Sequence, residues 1–122
     1  MRIRLLGLVS GIVISLAASG AAAIAARDYT RDLTMHQAEL ARCAGAERGS
    51  VTIRMDISGR GRLTGGAVVG ASSDAMRGVG ECVLREARAW TFQRSSSGGG
   101  GVYQIEPRGD AVVVRNAPRA GS

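Results

Sequence analysis

The sequence has no lysine at all, and its only aromatic residues are Tyr29, Trp90, Phe92 and Tyr103. It also has a single histidine, two cysteines and two prolines. Each scarcity removes a class of function. A nucleic-acid face needs clustered cations with stacking aromatics among them. Here the arginines are interleaved with acids, as in Arg54-Met55-Asp56 and from Glu81 to Arg88, which reads as a solvated surface. Cys43 and Cys82 with the lone His36 do not make a four-ligand metal set. For hydrolysis the chain offers Ser72, Ser73 and Ser95 to Ser97 but only His36 as a base, and no G-x-S-x-G elbow. The glycines from Gly98 to Gly101 lack the Lys-Ser/Thr of a phosphate-binding loop and read as slack. Arg108-Gly109-Asp110 spells an adhesion tripeptide, but Pro107 to Asp110 is explained by turn chemistry. No catalytic residue, cofactor, metal or small-molecule substrate is indicated, and no nucleic-acid partner.

What the chain does have begins at its start. Met1-Arg2-Ile3-Arg4 is positive, and Leu5 to Ala26 carries no charge before Arg27. Leu5 to Leu16 has signal-peptide length, and Ala21-Ala22-Ala23 and Ala23-Ile24-Ala25 offer small-x-small cleavage sites. As an uncleaved helix the same 22 residues span about 33 Å, enough for a hydrocarbon core of about 30 Å. Residues 1–26 are therefore expected to be a signal peptide or an N-terminal membrane anchor. Either way the remainder is exported, to the periplasm or to the periplasmic face of an inner membrane. The formal charge is +6, from 16 basic and 10 acidic residues, all the basic ones arginine. With alanine and glycine abundant, that usage points to GC-rich codons.

Residues 27–115 are expected to form one small domain. Asp28 to Cys43 reads as a helix, with Leu33, Leu40 and Cys43 on one face and Thr34–Gln37 resembling a capping box. Val51 to Ser58 alternates strictly, Val51, Ile53, Met55 and Ile57 one way and Thr52, Arg54, Asp56 and Ser58 the other, as a half-buried antiparallel strand does. Ser58 to Arg62 supplies a turn. Leu63 to Ala71 returns as a second strand whose glycines suggest a bulge or a close backbone approach. Ser72-Ser73-Asp74 caps a helix with Met76, Val79, Val83 and Ala87 in one stripe, widened by Leu84. Ala89 to Arg94 reads as a third strand with Trp90 and Phe92 on one face. Val102 to Glu106 reads as a fourth strand, Ala111 to Arg115 as a short fifth, and residues 116–122 as a disordered tail. The class is α+β, a small antiparallel sheet of three to five strands with two helices packed on one face.

In an oxidising compartment Cys43 and Cys82 would close a loop of about 40 residues, worth roughly 4 kcal/mol in the chain-entropy model. The other reading is two separate buried thiols.

Five features in order carry a resemblance: Cys43, Gly49 to Gly61 (GSVTIRMDISGRG), Ala67 to Ser73 (AVVGASS), Cys82-Val83 and Trp90-Thr91-Phe92. Together, over residues 33–107, they resemble the TonB C-terminal-like modules, most closely the AgmX/PglI-type C-terminal domain. The chain departs from that pattern at Ala44, Gln93 and Glu106-Pro107-Arg108. The resemblance implies transport, motility or assembly complexes of Gram-negative envelopes.

The expected function is a noncatalytic interaction module that binds an envelope protein by accepting a strand at an open sheet edge. Gly65, Gly66 and Gly70 are the candidate contact residues, because glycine leaves main-chain groups accessible; the other reading is an edge kept covered by the N-terminal helix or the C-terminal tail. An alternative is a membrane-anchored energy-coupling subunit of TonB type, with Ser10 and Ser15 as motor-facing candidates. A third, a secreted enzyme, requires a pocket of convergent polar groups.

Overall fold

The computed structural model describes residues 28–117, so the leader expected over 1–26 and the end of the chain past Ala117 lie outside the described residues. Seven elements follow in order: α1 (Thr30–Thr34), α2 (Gln37–Ala44), β1 (Val51–Ile57), β2 (Leu63–Ala71), α3 (Asp74–Ala87), β3 (Gly99–Arg108) and β4 (Ala111–Asn116). The four strands form one antiparallel sheet in the order β2-β1-β3-β4. The architecture is the expected α+β sheet with helices against one face.

The alternation in β1 decides which face that is. Val51, Ile53, Met55 and Ile57 are buried, while Thr52, Arg54 and Asp56 lie on the solvent side, where Arg54 pairs with Asp56. Onto the buried face come Tyr103 and Ile105 of β3, Val112 of β4, and Met76, Val79, Val83 and Ala87 of α3. The stripe expected on α3 is thus the stripe that is buried, and Ser73 Oγ accepts the Met76 amide as its N-cap. Ser72 does something else: its hydroxyl accepts the Ser50 amide and closes the open end of the β1–β2 hairpin. Gly80 lets α3 lie close on the sheet, since a methyl group there would come within 2.7 Å of Val51 Cγ2.

The first helix is two. Thr34 bonds back to the Thr30 carbonyl instead of capping forward, and the His36 amide reaches Leu33, one residue short of helical spacing. The chain therefore turns at Met35–His36, and the expected Thr34–Gln37 capping box does not form. The turn puts the His36 ring flat on Trp90, with centroids 4.0 Å apart and planes within 2°.

The strand expected over Ala89 to Arg94 is absent. Trp90 and Phe92 are buried as the spacing required, but their segment does not join the ladder. The Phe92 amide bonds Gly61, the Ser95 amide bonds Gly59, and the Gln93 amide bonds the Asp32 carboxylate at 2.7 Å. Three irregular acceptors take the bonds a strand would have given to a neighbour. The glycines that read as slack are instead ordered: Gly99 to Gly101 open β3, opposite Ile57 to Met55. Any Cβ at Gly100 would press on the Met55 carbonyl, and at Gly101 on the Tyr103 ring. At the other end β4 runs on to Asn116, the residue where a tail was expected to begin.

Candidate binding edge

A four-stranded open sheet has two edges, here β2 and β4, and the chain treats them differently. In an antiparallel pair alternate residues turn their main-chain groups away from the neighbour. On β4 one such residue is Val112, opposite Pro107, and the α2 side chain of Gln37 occupies its place. Gln37 Nε2 donates to the Val112 carbonyl at 2.7 Å, and the Val112 amide donates to Gln37 Oε1 at 3.0 Å. One carboxamide thus answers donor and acceptor together, as an added strand residue would. Pro107 fits the same pattern, because its side without N–H points past Val51, where β1 has not yet begun. Replacing Gln37 with Ala is expected to cost about 1–3 kcal/mol, the penalty for stripping partners from a partly buried amide and carbonyl. Urea midpoints check the stability, and hydrogen exchange at the Val112 amide should accelerate with it.

The β2 edge has no such cover among the described contacts. Its nine residues, Leu-Thr-Gly-Gly-Ala-Val-Val-Gly-Ala, include no charge and no proline, the devices that ordinarily blunt an edge. Ser72 N bonds Ser50 O and Ser58 N bonds Arg62 O, so the even-numbered residues of β1 face β2. Gly66 and Val68 pair with Met55 and Ile53, and therefore turn their amides and carbonyls outward. Register shifts lie at Thr52/Ile53 and Asp56/Ile57, which leave Gly65 to Val68 as the regular stretch. Val69, beside the first shift, is 54% exposed.

The three glycines named from sequence all lie on this edge strand, but in different settings. Gly65 faces Asp56 on the solvent side, and Gly66 sits on the helix side beneath Leu84. Gly70, paired with Thr52, has open space where a side chain would be. Sequence reasoning missed Gln37, whose only signal is a long amide on a helix where the packing face wants an apolar residue.

The cysteines are joined: Cys43 at the end of α2 and Cys82 in α3 are disulfide-bonded with Cα atoms 5.6 Å apart. The Cys43 side chain packs against the core, and the bond ties α2 to α3.

A shallow hollow of about 410 Å³ lies beside the His36–Trp90 stack, lined by Arg31, Asp32, Met35, His36, Thr91, Phe92 and Gln93. His36 Nδ1 is 3.6 Å from Glu39 Oε1, and the Asp32 carboxylate is engaged by the Gln93 amide. Deeper in the core, the Tyr103 hydroxyl accepts the Tyr29 amide at 2.8 Å, and burial pushes its pKa up to about 12. Arg108 ends β3, and Gly109 and Asp110 form the exposed β3–β4 turn, with Gly109 at φ 61°. No three-residue group of His, Cys, Asp or Glu among the described residues could hold a metal, and no helix among them is long and apolar enough to cross a membrane.

Comparison with family models, with curated proteins and with solved structures yields no match.

Proposed function

We propose that this chain is a noncatalytic interaction module of an oxidising, extracytoplasmic compartment, and that it binds protein by strand addition at the β2 edge. The observation that carries the reading is the asymmetry of the two edges: Gln37 answers Val112 on β4, while β2 presents Gly66 and Val68 without a charge or proline nearby in the strand. An incoming extended segment gains main-chain hydrogen bonds there, and alternate side chains supply selectivity. The Cys43–Cys82 bond supports the compartment, since structural disulfides persist where the environment is oxidising. The resemblance to TonB C-terminal-like modules and the apolar leader support an envelope location.

A partner recovered by crosslinking from envelope fractions provides the peptide for the test. Its titration should shift the amides of Leu63–Ala71, with Gly66 and Val68 moving most. Val68→Pro removes one outward donor and should weaken binding about ten-fold or more, the loss of one to two hydrogen bonds in an edge contact. Shifts gathered around His36 and Gln93, or along β4, would replace this reading with a different mode.

A further inference from the structure

We infer that the segment seated on the β2 edge is β2 of a second copy, giving a two-fold dimer with one continuous eight-stranded sheet. The inference rests on β2 being the accepting edge and adds the identity of its occupant. The strand is complementary to itself. Turned antiparallel about Ala67, the regular stretch sets Gly66 opposite Val68 of the second copy and Val68 opposite its Gly66. On each side of the axis a glycine meets a valine, so the two strands meet there without crowding. Residues directly opposite in an antiparallel pair share a face and touch.

The main chain agrees with that register. Gly66 and Val68 both turn outward, and they are the residues placed opposite one another on each side of the axis. Two such pairs exchange hydrogen bonds across the axis.

Charge at the two ends of the strand points the same way. Arg60 and Arg62 precede β2, and Asp74 follows it in the first turn of α3; all three are exposed. Antiparallel pairing brings the basic end of one copy to the acidic end of the other, twice, by symmetry. A parallel arrangement would set arginines against arginines. Val69, 54% exposed on a single copy, gains cover from the second.

Sedimentation of the purified full chain, with its disulfide intact, tests the inference. The expected result is a monomer–dimer equilibrium that two substitutions disturb without unfolding either copy. Val69→Lys replaces an exposed side chain, and Gly70→Val fills space that is empty within one copy. Each should raise the dimer Kd about ten-fold or more, as a charge or a bulky residue inserted in a paired edge does. Arg60→Glu and Asp74→Arg should each weaken the dimer, and the double exchange should restore it, which a loss of folding could not do. A chain that stays monomeric at high concentration overturns the inference, as does a dimer indifferent to both β2 substitutions. If the monomer nevertheless shifts its β2 amides on adding an envelope peptide, the strand-addition reading stands and only the identity of its occupant is wrong. A dimer whose formation moves no β2 amide overturns the inference, and the strand-addition reading fails only if an envelope peptide also leaves those amides unmoved.

Discussion

Cys82→Ala should lower the free energy of unfolding by about 2–5 kcal/mol, with Cys43→Ala matching it and the double substitution adding little more. The three values converge because there is one bond to lose. It spans 39 positions and encloses the whole β1–β2 hairpin and the first half of α3, so breaking it releases a long loop in the unfolded chain. A domain this small has little core to absorb the loss. Urea melts with and without reductant make the measurement: reductant should bring the wild type down to the level of the variants and leave the variants unmoved. A wild type indifferent to reductant would mean that the bond merely decorates two helices already held by Leu40, Ala44 and Val83.

Gly61→Ala should be comparably damaging, at about 2–5 kcal/mol, through backbone strain and overpacking together. Gly61 sits at φ 83°, a conformation that residues with a Cβ rarely adopt, and its new methyl would run into the Phe92 carbonyl oxygen. The obstacle is main chain on both sides, so no side chain can swing away. The Gly61 carbonyl also accepts the Phe92 amide at 2.7 Å, so relief of the clash breaks the tie that holds the Trp90–Phe92 segment to the hairpin turn. Gly109→Ala is the control: φ is 61°, but nothing lies within 4 Å. It should cost only about 1 kcal/mol, the backbone preference alone. Thermal melts of the two variants separate the contributions, and near-equal losses would show that the contact with Phe92 is slack.

Much of this fold was legible in the sequence, because the strongest signals were periodic. The alternation from Val51 to Ile57 set both the strand and its buried face, and the stripe from Met76 to Ala87 set α3. Where the reading failed, a tertiary partner had overruled a local pattern. Trp90 and Phe92 have strand spacing, yet a turn carbonyl and the Asp32 carboxylate compete for the neighbouring amides. Gly99 to Gly101 look like slack because glycine says nothing of the partner that makes it necessary. Thr34 and Gln37 have capping-box spacing, but Gln37 found Val112, 75 residues away, which no local window contains. The candidate edge divides in the same way. The glycines of β2 could be named from sequence, and so could a helix covering an edge; that Gln37 does so at Val112 of β4 could not.

The central position of β1 also bears on the order in which the chain can assemble. Both cysteines and the entire β1–β2–α3 unit precede residue 88, so a chain delivered from its N-terminus can oxidise and dock that unit first. β3, Tyr103 and the Val112 that receives Gln37 come last. Until they arrive, β1 has one flank paired with β2 and the other bare, with Ile53 and Met55 uncovered by Tyr103. Pairings so distant in sequence close slowly. In that interval the vulnerable flank is the one buried in the finished molecule, and a chaperone guarding this chain would have to shield the seam between β1 and β3.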